Sequence, residues 1–373
     1  MTIFGASWDE LTLEHVQTFL DRADDEPLLW EAKGTRLDPK EVRLQVCGFA
    51  NSHEGGYLVL GASRVAANGE TRWDLGGVVF PDEPATWVAN VVTDLAQGVR
   101  PQPVFDVRSW PVSGAHVVLI RIEPTSTPPC IANGTVYERL PGKTQTVREP
   151  LRLAALFTRG DEARSGAQTR ADRAAATILD AWNGEVENVA ETFRHQGQID
   201  ESHTAQAWLR FAVGVAATGN APDIGRRLFQ REFGEHMWNS LWEQQVGVPE
   251  QFRSPPDTVR VTQAALLCRN DISGPLDHVT LARASWDGAT AAGQRLMTDH
   301  AYPDSLIDAR LRPAWQLADD LLQRLGGYGD VYVTVLIAGK RFLNRHDDEP
   351  VAIRRGPVAA GVDDTLVASV SAR

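Results

Sequence analysis

Apolar and polar residues alternate along residues 1–160 with two different periods. Apolar side chains at helical spacing mark Leu11–Leu20, while the fully apolar run Tyr57–Gly61 is typical of a strand buried on both faces. Similar patterns predict further helices at 39–50, 85–95 and 149–157, and further strands at 28–32, 73–80, 104–112, 116–122 and 135–139. Because helices and strands intermix in this order, we predict an α+β domain with a mixed sheet and flanking helices.

Residues 168–373 have a different pattern and follow the polar stretch Thr158–Gln168, which we predict to be the domain boundary. Helical spacing predicts helices at 170–182, 186–195, 203–217, 225–246 and 303–325, and shorter apolar runs predict strands at 258–268, 277–284, 330–338 and 364–371. We therefore predict a second, helix-rich α+β domain. Positioning, oligomerisation and sensing are the roles considered for it.

The charge of the chain restricts how it can bind a polyanion. The formal net charge is −12, so no overall basic field attracts nucleic acid, and any such contact requires a local basic patch. Three cysteines without a CxxC pair give neither a disulfide framework nor a cysteine zinc site. The first residues lack a signal-peptide pattern and the apolar runs are too short for a bilayer. We expect a soluble, cytoplasmic protein that makes no membrane contact.

The stretch Glu26–Lys33, EPLLWEAK, contains the residues best suited to chemistry. In a strand, Glu31 and Lys33 share one face. Glu26 can approach Glu31 only if the chain bends near Pro27. Two carboxylates that meet repel each other, which a divalent cation between them relieves, and a lysine beside such a cation suits phosphodiester hydrolysis. The alternative interpretation is a set of solvated charges at a strand edge.

A longer set of motifs extends this observation. FANSHEGGYLVLG at Phe49–Gly61 follows WEAK, and it is followed by the apolar strand Val117–Ile122 with Glu123-Pro124, then Pro128-Pro129, and then GTVYER at Gly134–Arg139 with Gly142. Together these motifs resemble the Schlafen family, in its AlbA-like domain. The resemblance covers about 150 residues in the family's order.

The resemblance implies a nucleic-acid-binding domain and a metal-dependent endoribonuclease that acts on tRNA, other structured RNA or single-stranded nucleic acid. By this resemblance Glu26 and Glu31 bind Mg²⁺ or Mn²⁺, and Lys33 supports the phosphate. Arg139 and Lys143 are predicted nucleic-acid contacts, with a surface role in solubility as the alternative. A homodimer and a role in stress or phage defence are further expectations.

One departure from the family pattern favours a second hypothesis. The family's third acid normally follows the buried strand, but this chain has Ala62-Ser63-Arg64 there, without a carboxylate. Glu70 or Asp74 would replace it only if the loop folds back. The alternative function is therefore a non-catalytic DNA- or RNA-binding transcriptional regulator with a degenerate metal site.

Two glycine-containing segments are candidate anion sites. Gly142-Lys143-Thr144 resembles part of a P-loop, but Tyr137 stands where that motif needs a glycine, so ATP binding is not supported. Asn51 and Gly55-Gly56 have two interpretations. Backbone N–H groups at this turn could hold an anion, or the residues form a helix C-cap and a tight entry to the next strand.

Overall fold

The computed structural model describes residues 2–23, 28–67, 70–81, 83–195, 208–221, 223–243, 257–261, 265–272, 278–297, 304–338 and 350–358. The chain divides into two compact units, Met1–Asp161 and Glu162–Arg373, called here the N-terminal and C-terminal units. Each unit combines helices with strands, which confirms the predicted α+β class. Within the described ranges, no helix has both the length and the apolar character that a membrane crossing needs.

A four-stranded mixed sheet lies at the centre of the N-terminal unit. Its order is β1-β2-β7-β6, with β1 parallel to β2 and the other neighbours antiparallel. The four strands are β1 (Trp30–Lys33), β2 (Gly56–Leu60), β6 (Phe105–Val112) and β7 (Ala115–Ile122). The mixed sheet predicted from the sequence is therefore confirmed.

Smaller strand groups complete the N-terminal unit. A hairpin consists of β3 (Ser63–Ala67) and β4 (Glu70–Asp74). A second sheet has the order β10-β9-β8-β5. Its strands are β5 (Val99–Arg100), β8 (Ile131–Ala132), β9 (Thr135–Leu140) and β10 (Lys143–Thr146).

Helices cover both faces of the central sheet. On one face α1 (Leu13–Leu20) contributes to the same core as Trp30 and Leu119; on the other, α2 (Pro39–Ala50) and α3 (Pro84–Gly98) pack with Leu58 and Ile120. This division follows the alternation of side chains along β2 and β7. Helix α2 begins as predicted, because the Asp38 carboxylate accepts from Glu41 N at 2.9 Å in a capping box.

Helix α4 (Pro150–His195) runs through the segment predicted to be a boundary. The expectation that this helix ends at Phe157 was wrong, because the helix continues without a break. The polar residues of this segment are compatible with a helix. Gly160 is required by packing, because a Cβ at that position would lie 2.1 Å from Pro128 O. The glycine thus permits a close approach within the N-terminal unit instead of a turn.

The C-terminal unit contains a seven-stranded antiparallel sheet of order β12-β13-β14-β15-β11-β16-β17. Its strands are β11 (Trp208–Asn220), β12 (Asp257–Val261), β13 (Ala265–Ile272), β14 (His278–Ser285), β15 (Ala289–Met297), β16 (Gly327–Ala338) and β17 (Val351–Val358). The helices are α5 (Ile224–Leu228), α6 (Arg231–Glu243) and α7 (Asp304–Leu325). The strand predicted at 364–371 lies outside the described residues.

Strand β11 replaces the helix predicted at 203–217. Its side chains alternate between two cores, with Ala212 and Ala216 on the α4 face and Phe211 and Val213 on the face of α5–α7. The alanine residues fit a helix locally. Here the alanines and Gly214 are small enough to let α4 approach the sheet. A Cβ at Gly214 would lie 2.0 Å from Ala171 O. Tertiary packing therefore overrides local helix propensity in this segment.

Candidate functional site

Glu31 and Lys33 lie on one face of β1, as the strand pattern predicted. The Glu31 side chain is 1% exposed, and its two carboxylate oxygens form ion pairs with Lys33 Nζ and with Arg139 Nη1. Arg139 is also buried, donates through Nη2 to Trp30 O at 3.0 Å, and places its guanidinium 4.9 Å from the centre of the Phe49 ring. Lys33 is 35% exposed and is the member of this group that reaches solvent.

This arrangement corrects two expectations. Glu31 is not a solvated charge at a strand edge, because it is buried and paired. Arg139 does not present a guanidinium to a phosphate at the surface, since its side chain has no exposed area and is paired with Glu31. Lys143, by contrast, is exposed at the start of β10.

The predicted metal site is only half within the described part of the chain. Glu26 and the proposed bend at Pro27 lie outside it, so their approach to Glu31 stays a prediction. Among the described residues no group of three or more His, Cys, Asp or Glu side chains is arranged to hold a metal ion. Both Glu31 oxygens already face cationic groups, and in this arrangement the described residues do not fit Mg²⁺, which needs oxygens at about 2.1 Å.

A cleft of about 440 Å³ opens beside Lys33. Its lining residues are Ala32, Lys33, Gly34, Ala62, Ser63, Arg64, Trp73 and Gly142, so the described lining includes two cationic side chains and no acidic one. Gly34 is needed for the close approach of β1 to β3, because a Cβ there would lie 2.9 Å from Ser63 Cβ. We call this feature the Lys33–Arg64 cleft.

The β3–β4 hairpin forms one wall of the Lys33–Arg64 cleft. Arg64 and Trp73 are cross-strand partners, and the Arg64 guanidinium lies 4.8 Å from the Trp73 ring centre. Trp73 is buried, contacts Trp30 edge to face at 5.2 Å, and donates from Nε1 to Ala23 O at 3.1 Å. The indole is thus fixed in the core and supports Arg64 from below.

The same hairpin determines whether an acidic side chain can take the position of the third acid in the family pattern. The chain does fold back after β3, and Asp74 is the cross-strand partner of Ser63. Asp74 is exposed and is not one of the side chains that line the Lys33–Arg64 cleft. The fold-back therefore brings a carboxylate next to the expected position without adding it to the cleft.

Asn51 has a structural role at the end of α2. Its Nδ2 donates to Cys130 O at 2.8 Å and Tyr137 O at 2.7 Å, and its Oδ1 accepts from Cys130 N at 2.6 Å. Gly55 has φ +69°, and a Cβ there would lie 2.1 Å from Ile122 O. The helix-cap and tight-turn interpretation is the one that this geometry supports.

Cys47 and Cys130 are in contact beside the hydrogen bonds of Asn51, although 83 positions separate them in the chain. Cys47 Sγ lies 3.1 Å from Cys130 O, and both thiols are buried and free. A hydrogen bond with the Cys130 side chain lowers the pKa of Cys47. The same contact, together with burial, raises the pKa of Cys130. Because the two cysteines are far apart in the sequence and form no CxxC pair, the sequence gave no indication of this contact.

Sequence reasoning did not identify Arg64 or Trp73 as site residues. A signal was present, because Arg64 lies three residues after Gly61, at the end of the buried strand. The family pattern predicts a carboxylate near this position, whereas this chain carries a cation. The pairing of Arg64 with Trp73 depends on the hairpin register, which the sequence does not specify.

Comparison with known families matches residues 26–148 to the model described as Schlafen, AlbA_2. No curated protein matches the chain. Similar solved structures include the N-terminal domain of a putative ATP-dependent DNA helicase RecG-related protein from Nitrosomonas europaea, at 22% identity over 36% of this chain and 93% of that chain, with a TM-score of 0.28. The DIP2311 protein from Corynebacterium diphtheriae is 15% identical over 70% of this chain and 65% of that chain, with a TM-score of 0.27. The match at residues 26–148 confirms the resemblance to the Schlafen AlbA-like domain that the motifs predicted for the N-terminal part of the chain.

Proposed function

We propose that the N-terminal unit binds nucleic acid by its phosphates, through the Lys33–Arg64 cleft. The observation that carries this proposal is the composition of the cleft: two cations, an indole and small residues, with no acid among the described lining residues. In a chain of net charge −12, such a local excess of positive charge is what a polyanion requires.

The buried residues beneath the cleft support this role for Lys33. Glu31 and Arg139 form one anion–cation pair, so Lys33 adds a positive charge that this pair does not cancel. Because Glu31 also restrains the Lys33 ammonium, less conformational freedom is lost when a phosphate binds. Exposed Lys143, next to Gly142 of the cleft lining, extends the same basic edge.

Phosphate contacts explain affinity better than base reading here. Trp73 is 7% exposed, which leaves its face unavailable for stacking on a base, while Arg64 above it is exposed. Contacts of this kind position a strand without reading its sequence. We therefore propose binding with little sequence preference and a strong dependence on salt.

The test is fluorescence anisotropy of the full chain with labelled tRNA and labelled single-stranded RNA over a salt series. Lys33→Gln and Arg64→Gln should each weaken binding to all sequences and reduce the slope of log K against log salt by about one. Lys40→Gln, which removes an exposed lysine from α2, is the matched control. Equal affinities and slopes for all three variants would refute the proposal.

The geometry favours the non-catalytic regulator over a metal-dependent endoribonuclease, because both Glu31 oxygens are paired with cations. Cleavage of tRNA with Mg²⁺ or Mn²⁺, observed on denaturing gels, separates the two. Glu26→Gln is the informative variant, since a change at Glu31 would also disturb the buried pair. Cleavage that Glu26→Gln abolishes supports the nuclease; binding without cleavage by the unmodified chain supports the regulator. Homodimerisation, a cytoplasmic location and a role in phage defence stay predictions.

A further inference from the structure

The turn between β14 and β15 in the C-terminal unit presents an exposed tryptophan on a fixed backbone. Trp286 is 59% exposed. On either side of it, Ser285 Oγ donates to Ala289 O at 2.8 Å, and Asp287 Oδ1 accepts from Ala289 N at 3.3 Å. Asn220 Nδ2 donates to Asp287 O at 3.0 Å and so ties the turn to β11. Because the backbone of this turn is already fixed, less backbone conformational entropy is lost when a flat ligand stacks on the indole.

Asp287 of this turn interacts with arginines on the face of the sheet that α4 covers. Arg170 and Arg173 are one turn apart on α4, with Arg170 Nη2 donating to Ala217 O at 2.6 Å and Arg173 Nη1 lying 3.8 Å from Asp287 Oδ2. Arg283 lies two residues after Leu281 on β14, and Leu281 packs in the core beneath α4. Strand alternation therefore places Arg283 on that same face.

Arg173 acts electrostatically on both Arg170 and Arg283, and Asp287 acts on the same two groups. Burial lowers the pKa of Arg170 and of Arg283; Asp287 opposes that shift in both, and the charge of Arg173 adds to it. Asp172 of α4 is engaged with Thr334 and Arg354. Three cations against Asp287 leave positive charge that an anion would neutralise.

An exposed indole next in sequence to the carboxylate that faces these guanidinium groups fits one ligand class best. Single-stranded nucleic acid offers phosphates to the arginines and an unpaired base to the indole, and stacking on an aromatic side chain contributes about 1–3 kcal/mol per base. An acidic protein segment would satisfy the arginines but would leave the indole without a partner. Duplex ends offer few free base faces.

We propose that Trp286, Arg170, Arg173 and Arg283 form a second nucleic-acid contact, which takes a single-stranded segment with one base stacked on Trp286 and its phosphates at the arginines. This contact is separate from the Lys33–Arg64 cleft and does not depend on it. It gives the C-terminal unit a binding role of its own, selective for unpaired strands.

The test uses the full chain and fluorescein-labelled oligouridine and oligothymidine of about 12 nucleotides, within the range that single-strand sites cover. Trp286→Ala should weaken binding at least about fivefold, and Trp286→Phe should restore part of the loss, because phenylalanine still offers a face. Arg173→Gln should weaken binding and lower its salt dependence. The matched controls are Phe229→Ala, at 50% exposure, and Arg226→Gln, an exposed arginine paired with Asp223 as Arg173 is with Asp287.

The outcomes separate this inference from the proposed function. If Lys33→Gln and Arg64→Gln lose affinity while Trp286→Ala and Arg173→Gln match their controls, the second contact is refuted and the cleft proposal stands. Loss in the Trp286 and Arg173 variants alone supports the second contact and refutes the cleft. Poly-glutamate is used as a second ligand, in place of an acidic protein segment. If Arg173→Gln weakens poly-glutamate binding as much as oligonucleotide binding, and Trp286→Ala does not weaken oligonucleotide binding, the site fits an acidic protein segment and the inference is overturned.

Discussion

Arg139 pairs with Glu31 in the interior of the N-terminal unit, although 108 positions separate the two residues in the chain. The pair joins β9 of the second sheet to β1 of the central sheet. Lys33 shares the same carboxylate and extends toward solvent at the Lys33–Arg64 cleft. A buried structural contact and the candidate binding surface are therefore two sides of one group of charges.

Removing Glu31 should destabilise the N-terminal unit strongly. Glu31→Ala leaves the buried Arg139 guanidinium without its anion, and loss of one partner of a buried ion pair costs about 3–5 kcal/mol. Glu31→Gln, which keeps an acceptor, should cost less. The measurement is urea denaturation of the full chain.

A double variant tests whether the lost charge pairing is the cause. Glu31→Leu combined with Arg139→Met removes both buried charges. The loss of stability in this double variant should be smaller than the sum of the losses in Glu31→Leu alone and in Arg139→Met alone. If the two single losses simply add, the pair contributes no coupling and this account of the site fails.

Asn51→Ala should also lower stability, through backbone groups that lose their partner. The substitution leaves Cys130 N and Tyr137 O without the amide, while Cys130 O keeps its contact with Cys47 Sγ. Unsatisfied buried groups cost about 1–3 kcal/mol each, so we expect a loss of about 2–6 kcal/mol in total. Asn90→Ala, at an exposed position of α3, should change the urea midpoint little. A similar midpoint shift in both variants would contradict the role assigned to Asn51.

Local signals predicted the elements whose causes are local. Asp38 and Glu41 form the capping box where the sequence placed a helix start, and the turns at Ser113-Gly114 and Asn133-Gly134 have the positive φ angles that these residue pairs favour. Such features depend on a few neighbouring residues. They could therefore be identified without knowledge of the rest of the chain.

Features that depend on distant partners could not be identified in this way. The alanine residues of β11 favour a helix by their local propensity, and their place in a strand is set by the packing of α4. By sequence alone Arg139 is a candidate surface cation, and its burial depends on the distant Glu31. The family motif identified Glu31 and Lys33 as important positions. It did not indicate that Glu31 would be buried with a cation on each side.

The glycine in β11 gives a direct test of how α4 packs on the C-terminal sheet. Gly214→Ala places a Cβ 2.0 Å from Ala171 O, which is backbone and cannot rotate away, so the helix and the strand must separate. We expect loss of the folded C-terminal unit, or a destabilisation of several kcal/mol, as overpacking into backbone produces. Gly225→Ala, with no atom within 4 Å of its Cβ, is the control and should be neutral or stabilising. Equal stability of the two variants would refute this account of the helix–sheet contact.

The stability of the N-terminal unit should fall at high pH through Tyr57. Burial and then the charge of Glu123 raise the pKa of this phenol above its ordinary value near 10, while Arg121 opposes the shift. The folded state therefore holds the phenol proton more tightly than the unfolded state does. The stabilisation is complete below pH 10 and decreases as the pH rises through the interval between the unfolded and folded pKa values.

In Tyr57→Phe the urea midpoint of the full chain, followed by intrinsic fluorescence, should decline less steeply above pH 10 than in the unmodified chain. Parallel pH profiles for the two proteins would show that Tyr57 ionises equally in both states.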